Sequence, residues 1–484
     1  KRVRKVDKSI KNNNKIKVSF VDSPSSDDVT GSIIYIQTPN HNILVDCGMH
    51  QTNDRYEDFL VNSKKFKEFK AKNIDLIFIT HAHIDHLGTL PRLYKEGCSG
   101  TTIICGNSIQ VMADMLMDCA KINERDVQII NAQHNKNYLP LYGEDSVSIT
   151  LSHTKSFPSG QKIVWDDELS FELIPSGHLL DSCQVKLYLT VGGVTKTILV
   201  TGDIGNKVVE NHFVGEYVQV AHADYVIGES TYGDKPDIKT GKKERKNDLD
   251  KLKSIIDTQI HDMGGRVIIP TFAQSRLQSL ALMVYQLYKD SEWKPKVYVD
   301  TPLGIKIFKD YVDCLTGEDK ILIDELMRSG FLHFVQEAPE SIALVSSHEP
   351  SLIFTTNGMC TVGRVRHYLK KCIPDPNSTI LFVGYSTEGS LAFLLKDPKR
   401  KTVTIDTKEY PCRCSVYSLK SMSGHAPYAQ LIDNYANINC QKLILHHGST
   451  LAKETLKAAM EQEYSKRCKT TRVIIANPSL KLSL

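Results

Sequence analysis

Long apolar runs are missing from this chain of 484 residues. No stretch is long enough to cross a bilayer, and the basic opening Lys1–Lys5 is not followed by the apolar segment of a signal peptide. The sequence also lacks low-complexity tracts and internal repeats. These absences argue against a membrane-spanning or secreted protein and predict a soluble protein of the cytoplasm.

A regular cysteine framework is missing as well. The 12 cysteines are scattered, and the one close pair, Cys412 and Cys414, lacks the spacing of a zinc ribbon. Free thiols in a reducing compartment are therefore expected. The net charge of +4 neither requires nor excludes a nucleic-acid partner, since a nuclease needs positive charge only in its groove. The length predicts two sizeable domains.

Several predicted strands carry polar residues at their C-terminal ends, where loops on a rigid sheet usually build functional sites. The first third also has a hairpin pattern and is expected to be antiparallel. The predicted strands are Asp75–Thr80 before His81, Thr197–Val200 before Asp203 and Tyr225–Ile227 before Glu229, and the hairpin joins Ser32–Gln37 to Asn42–Val45.

The pattern changes after about residue 235, where strands alternate with helices. A strand at Arg266–Ile269 precedes a helix at 275–289, and further apolar strands recur up to residue 383. This alternation predicts a mostly parallel, doubly wound sheet. Short strands with polar ends return at Val416–Leu419 and Leu443–Leu445. We therefore expect one domain formed by residues 1–235 and 411–484, with residues 236–410 inserted into it as a second domain.

The stretch His81–Gly88, HAHIDHLG, has the ligands of a metal site. Zinc accepts imidazole nitrogen and carboxylate oxygen, and a catalytic zinc keeps one position open for water. One turn cannot surround two metals, so further ligands are expected from His178, Asp203 and His447, with Asp203 as the bridging ligand. Asp46 is expected to accept an N–H from a ligand imidazole. A single histidine would more often be an ordinary core or surface residue, but the combined motif favours metal binding.

These motifs resemble the metallo-β-lactamase superfamily, and the later ones resemble its β-CASP nucleases. The resemblance spans nearly the whole chain and includes Val29–Ser32 (VTGS), ILVDCG, HAHIDHLG, His178 and Asp203, then Glu229 in GESTYGD, His425 in SMSGHA and His447 in LHHGS, with PTFAQSR, TNGMCTVGRVRHYL and FVGYSTEGS between them. It implies an α/β fold: an αββα metallo-β-lactamase sandwich with an inserted doubly wound β-CASP domain.

The resemblance also implies a ligand set for two zinc ions. His81, His83 and His178 would hold one ion, Asp85, His86 and His447 the other, and Asp203 would bridge them. His446 competes with His447, because adjacent strand residues point to opposite faces. The residue before the glycine matches the family position, which favours His447. Histidine there is associated in the family with RNA substrates and valine with DNA.

The mechanism that follows is hydrolysis of phosphodiester bonds in single-stranded RNA by hydroxide generated between two metals. Asp85 would be a catalytic residue as well as a metal ligand. His425 would be the general acid, and Glu229 would orient the His425 ring and favour its protonated form. Arg276, Tyr385 and Ser423 are candidate substrate contacts, with a surface arginine, a core tyrosine and a turn serine as the plain alternatives.

Other functions remain open at this point. The same metals could serve a hydrolase of a small ester, thioester or lactam, a DNA-directed β-CASP nuclease, or a non-catalytic RNA-binding scaffold. The long insertion argues against the first and the complete ligand set against the last. The chain resembles a minimal catalytic core, although a segment of a larger factor would look the same. Cleavage mode, sequence preference and oligomeric state, including a homodimer, are not determined by these residues.

Overall fold

The first part of the chain is rich in strands. The computed structural model describes residues 15–21, 30–52, 54–207, 215–384, 386 and 388–484. The strands here are β1 (Lys17–Phe20), β2 (Ile34–Gln37), β3 (Asn42–Val45), β4 (Leu76–Phe78), β5 (Thr101–Cys105), β6 (Thr154–Phe157), β7 (Lys162–Val164), β8 (Leu169–Pro175), β9 (Cys183–Val191), β10 (Val194–Val200) and β11 (Tyr225–Gly228). The helices are α1 (Arg55–Asn62), α2 (Ile84–Leu87), α3 (Leu90–Lys95), α4 (Ile109–His134) and α5 (Glu144–Ser152).

Strands and helices alternate in the middle of the chain. The strands are β12 (Arg266–Pro270), β13 (Val297–Asp300), β14 (Leu332–Phe334), β15 (Ser351–Thr355), β16 (Ser378–Val383), β17 (Thr402–Ile405), β18 (Lys408–Pro411) and β19 (Ser415–Leu419). The helices are α6 (Lys242–Ile256), α7 (Arg276–Tyr288), α8 (Pro302–Cys314), α9 (Gly317–Arg328), α10 (Ala338–Ser346), α11 (Val365–Cys372) and α12 (Leu391–Leu395).

The last part of the chain returns to the first two sheets. It contains α13 (Tyr428–Ala436), β20 (Lys442–Leu445), α14 (Thr450–Lys466), β21 (Arg472–Ile475) and β22 (Lys481–Ser483). Short 3-10 turns lie at Lys65–Lys67, Ala71–Asn73 and Lys420–Met422, and a π-helical turn, Asp257–Asp262, continues α6. None of the helices in the described ranges combines the length and apolar character that crossing a lipid bilayer requires.

Two seven-stranded sheets form a sandwich. The first has the order β22-β1-β2-β3-β4-β5-β6, and the second β21-β20-β11-β10-β9-β8-β7. Apolar side chains from both sheets, such as Phe78 of β4 and Phe171 of β8, form one buried cluster between them. Along β8 and β9, buried apolar side chains largely alternate with more exposed ones. This alternation gives the sheet one apolar face, which packs against the other sheet.

Helices cover the outer faces. Helices α3, α4 and α5 contribute to the apolar cluster that covers the first sheet, and α13 and α14 pack on the second. The third sheet is entirely parallel, with the order β14-β13-β15-β12-β16-β19. Helices α7 and α8 pack on one of its faces and α10 and α11 on the other. The expected αββα sandwich with an inserted doubly wound domain is confirmed.

Two details differ from the sequence-based expectation. The first third is antiparallel only from β1 to β3, and β3 to β6 pair in parallel because helices make the crossovers between them. In addition, Ser415–Leu419 pairs in parallel with β16, so this strand belongs to the third sheet. The expected boundary at residue 410 stays a prediction, and from this strand pairing we propose that the inserted unit ends near residue 419.

Phe171→Ala is expected to lower the free energy of unfolding by about 3–5 kcal/mol, because the change leaves a cavity between the two sheets. The Phe171 ring is fully buried, and its centroid lies 5.0 Å from that of Phe78. Urea unfolding followed by circular dichroism measures the loss. Val164→Ala on neighbouring β7, where the residue is 73% exposed, should change stability by less than about 0.5 kcal/mol. Equal losses in the two variants would contradict the buried interface.

Candidate metal centre

The HAHIDH turn is held in place by the residues just before β2 and just after β3. Backbone N–H groups of Ser32, Cys47 and Met49 donate to the carbonyl oxygens of Asp85, His86 and Ile84, at 3.0, 2.7 and 3.0 Å. Gly48 lies so close to the turn that a Cβ atom there would be 1.7 Å from the Asp85 carbonyl oxygen. The glycine of ILVDCG is therefore required by close backbone approach.

Asp203 lies between two groups of possible ligands. Its Oδ2 atom is 3.6 Å from His81 Nε2 and 3.6 Å from His178 Nε2. Its Oδ1 atom is 3.3 Å from His86 Nε2 and 3.2 Å from His447 Nε2. Each carboxylate oxygen thus faces its own set of imidazole nitrogens, which is the geometry of a bridging ligand.

His83 and Asp85 complete the two groups. His83 Nδ1 lies 3.2 Å from His81 Nε2 and 3.4 Å from His178 Nε2. Asp85 Oδ2 lies 3.9 Å from His86 Nε2 and 4.0 Å from His447 Nε2. Ligand atoms of a tetrahedral zinc ion with bonds of about 2.0 Å are roughly 3.3 Å apart. The observed separations therefore fit a metal ion in each group.

Within the described ranges, two buried atoms that face each other here have no partner with hydrogen-bond geometry: His86 Nε2 and Asp203 Oδ1. Buried polar atoms are rarely left unsatisfied, because desolvation without a partner is costly. A cation between these atoms would satisfy both of them, so the residues present fit a metal.

Neighbouring groups fix the orientation of three imidazole rings. His86 Nδ1 lies 2.7 Å from Asp46 Oδ2, and Asp46 also accepts from the Thr80 N–H at 2.8 Å. His178 Nδ1 lies 3.0 Å from the Gly424 carbonyl oxygen, and His81 Nδ1 lies 3.0 Å from Thr80 Oγ1. With Nδ1 engaged in this way, Nε2 is the nitrogen of each ring that is left to face a metal.

The electrostatic environment differs between the two groups. Burial and the neighbouring imidazoles hold the pKa of His81 and His83 well below the ordinary value, and they lower the pKa of His178 to about 4. Neutral imidazole is the form that binds metal. Burial alone would lower the pKa of His86, but the carboxylates of Asp203 and Asp46 outweigh it and raise that pKa well above its usual value. The second group therefore attracts positive charge.

Glu229 and His425 lie beside the first group. Glu229 is buried, and its carboxylate accepts from the backbone N–H of Ile204 at 2.6 Å and of Thr231 at 3.3 Å. His425 Nδ1 is 3.5 Å from Glu229 Oε2. Burial alone would lower the pKa of His425, but the charge of Glu229 and that of Asp203 raise it above its usual value. His425 is thus suited to carry a proton at this edge of the centre.

The two adjacent histidines after β20 point in different directions. His447 reaches Asp203, whereas His446 Nε2 lies 3.0 Å from Ser32 Oγ and its ring packs 5.4 Å from that of Phe20. The backbone of His447 has a φ of 47°, a conformation that residues other than glycine rarely adopt. This turn separates the two rings and directs His447 alone to the centre.

The candidate substrate contacts have different environments. The Arg276 side chain is buried, and its pKa is lowered to about 10 by burial and by nearby Arg245. In the part of the chain that the structure describes, its Nη1 has no hydrogen-bond partner. It lies against Gly424, where a Cβ would be 2.7 Å from Nη2. Ser423 Oγ is 2.8 Å from the Tyr232 hydroxyl. Tyr385, like Val29, lies outside the described residues.

Sequence reasoning missed several residues that organise the centre. Thr80 contacts both Asp46 and His81, the Gly424 carbonyl accepts from His178, and Tyr232 contacts Ser423. Thr80 directly precedes the HAHIDH motif, so its position offered a signal. The Gly424 contact could not be anticipated, because it joins residues 246 positions apart.

Family models match three segments of the chain. A metallo-β-lactamase superfamily model matches residues 26–97, and a β-CASP domain model matches residues 277–395. A model described as the zinc-dependent metallo-hydrolase RNA specificity domain matches residues 409–471. The matches follow the order of the two folds along the chain.

Several curated proteins are similar over most of the chain. Ribonuclease TTHA0252 of Thermus thermophilus is 28% identical over 84% of this chain and 88% of its own length. Transcription termination factor FttA of Methanocaldococcus jannaschii is 28% identical over 90% of this chain and 67% of its own length. Integrator complex subunit 11 of Danio rerio is 25% identical over 94% of this chain and 74% of its own length.

A solved structure has the same fold. The crystal structure of a protein of unknown function from Enterococcus faecalis V583 superposes with a TM-score of 0.52 and 13% identity, over 97% of this chain and 100% of that one. The matched models, the relatives and the arrangement of the sheets show that the chain belongs to the β-CASP family of the metallo-β-lactamase superfamily.

Proposed function

We propose that the protein is a two-zinc hydrolase that cleaves phosphodiester bonds in single-stranded RNA. The observation that carries the proposal is the position of Asp203, whose two oxygen atoms face separate sets of imidazole nitrogens at 3.2–3.6 Å. A carboxylate buried in this way among histidines is suited to bridging two cations. We assign His81, His83 and His178 to one ion and Asp85, His86 and His447 to the other.

Zinc is the metal that these donors favour. The family implies a divalent cation, and a set of imidazole nitrogens with few carboxylate oxygens suits zinc better than magnesium or calcium. When bound, the cations supply Lewis acidity, which lowers the pKa of a coordinated water and neutralises charge on phosphate oxygens. The chain's own residues then have to position the phosphate and protonate the leaving oxygen.

His425 is our candidate for the proton donor. Its Nδ1 atom lies 3.5 Å from the Glu229 carboxylate, which is itself held by backbone N–H groups and raises the pKa of His425. Nε2 is then free to give a proton to the departing oxyanion. A positioned general acid of this kind contributes roughly 10²–10⁴-fold to the rate. Glu229 acts through His425, as a positioning residue.

Arg276 and Ser423 are our candidates for phosphate contacts. Among the described residues, the buried Arg276 guanidinium has no hydrogen-bond partner for Nη1. A second arginine, Arg245, lies close enough to lower the pKa of Arg276, so positive charge is concentrated here. Guanidinium N–H groups match phosphate oxygens in geometry and charge. Tyr385 remains a sequence-based candidate for the same role.

RNA is the proposed substrate for two reasons. The relatives include proteins named as ribonucleases, and one matched model is named for RNA specificity. His447, at the position that separates RNA-directed from DNA-directed members, favours the same choice. The 12 free cysteines agree with a reducing compartment, so we propose the cytoplasm as the location.

Asp203→Asn is expected to reduce bound zinc from two ions to fewer than one per chain and to abolish cleavage, because the amide removes the charge that both cations share. Zinc measured by mass spectrometry after dialysis checks this. Asp262→Asn, at an aspartate whose side chain is 63% exposed, is the matched control and should retain both ions and activity. Full zinc content in the Asp203 variant would refute the bridging role.

His425→Ala is expected to retain both zinc ions and to lose about 10²–10⁴-fold in kcat on an oligonucleotide. The loss should shrink on a nucleoside 4-nitrophenyl phosphate, because 4-nitrophenolate leaves without a proton. His222→Ala, at a histidine whose side chain is 55% exposed, is the control. An equal loss on both substrates would argue against a general-acid role.

Cleavage of single-stranded RNA labelled separately at each end is expected, with DNA of the same sequence cut at a much lower rate. The two labels distinguish internal cleavage from digestion from one end. The Asp203→Asn protein, purified in the same way, controls for contaminating nucleases. Equal or faster cleavage of DNA would overturn the RNA assignment, and hydrolysis of a chromogenic ester alone would overturn the nuclease assignment.

A further inference from the structure

An aromatic ring lies beside the metal centre without joining an apolar core. Phe272 follows β12, and its ring centroid is 6.2 Å from that of His83, with the planes tilted by 46°. The side chain is half-buried, although the neighbouring Thr271 and Ala273 are buried. Among the described residues, Phe272 belongs to none of the apolar clusters and is not among the half-buried residues packed on them. Core packing therefore does not explain its position.

The ring is supported by backbone. A Cβ atom on Gly358 would lie 3.0 Å from Phe272 Cε2, 3.1 Å from Cδ2 and 3.4 Å from Cζ, so the ring lies directly against this glycine. A Cβ atom at position 358 would press on the ring and shift it by a few tenths of an ångström. Glycine at this position therefore leaves room for an aromatic side chain beside the site.

Phe272 and Gly358 follow the C-terminal ends of two neighbouring parallel strands, β12 and β15. Pro270 at the end of β12 pairs with Thr355 at the end of β15. From these ends the chain leaves in opposite directions, through α7 on one face of the sheet and α11 on the other. Crevices at such reversals, outside the C-terminal ends of the strands, are where doubly wound sheets bind ligands.

We propose that Phe272 is a stacking platform for the nucleobase next to the scissile phosphate. This inference rests on the proposed function, because it takes a single-stranded nucleic acid as the substrate. The metal ligands and Arg276 are suited to phosphate, and neither offers a surface to a base. Phe272 supplies a flat apolar surface adjacent to His83, supported on one side by Gly358. Stacking on such a ring tolerates every base, because each has a π-face.

An RNA oligonucleotide with one cleavage site tests the proposal. An abasic residue is placed on either side of the scissile phosphate in turn. For the wild-type protein, one of these positions is expected to lower kcat/KM roughly 5- to 150-fold, the usual range for loss of one base–aromatic stack. Phe272→Leu keeps apolar bulk without a π-face. It should lose a similar factor on intact RNA and show no further loss at that abasic position, whereas Phe272→Tyr should behave like the wild type.

Phe331→Leu is the matched control. Phe331 is half-buried before β14, where its ring lies 5.5 Å from that of Tyr285, and this variant should show the full abasic penalty. If Phe272→Leu shows the same abasic penalty as the wild type, the stacking proposal is wrong. It is equally wrong if the variant loses zinc, which would make Phe272 a wall of the metal centre. Failure of the wild-type protein to cleave any oligonucleotide would instead overturn the proposed function together with this inference.

Discussion

The buried carboxylate of Asp203 is the group on which the rest of the centre depends. Five imidazole rings surround it, those of His81, His86, His178, His425 and His447, each with a nitrogen within 3.9 Å of an Asp203 oxygen. Moving a carboxylate out of water costs several kcal/mol unless positive charge is placed beside it. Burial alone would raise the pKa of Asp203, but His447 and His86 outweigh it and hold the pKa well below its usual value. The side chain is therefore charged, and it requires cations or protons on both sides.

The fold meets this requirement by bringing the ends of strands together. Asp203 and Glu229 follow the parallel neighbours β10 and β11, and His447 follows β20, the next strand in the same sheet. Asp46 and His81 follow β3 and β4, which are parallel neighbours in the other sheet. Because the ends of parallel neighbours share one edge, residues more than 200 positions apart meet without long loops. Asp46 and His447 both have left-handed φ values, 64° and 47°. Local backbone strain therefore occurs at the strand ends whose side chains point toward the candidate metal centre.

The sequence could predict what is local and periodic. The HAHIDH turn, the strand before it and the polar residue after each apolar strand are short-range patterns, and all of the predicted ligands lie in the two groups around Asp203. Contacts between distant segments left no such pattern. Pairing of β19 with the inserted sheet depends on a partner, β16, more than 30 residues earlier, and the Gly424 carbonyl that orients His178 is 246 positions away. The sequence favoured His447 over His446 only through the resemblance, because the backbone turn that separates their rings is not revealed by either residue type.

The inserted domain contributes Arg276 near the metal centre, and the positive charge of this side chain is not offset by a nearby carboxylate of the described residues. Arg276 is buried beside Gly424, and Arg245 adds further positive charge. No carboxylate from the described residues is among the groups that shift the pKa of Arg276. An uncompensated buried charge destabilises a folded protein by several kcal/mol. Helix α8 of the insertion contacts α4 of the sandwich. Packing between the two domains therefore helps to offset the free-energy cost of burying Arg276. An anionic substrate would place negative charge beside Arg276 and would thereby reduce the cost of burying this guanidinium at the junction of the two domains.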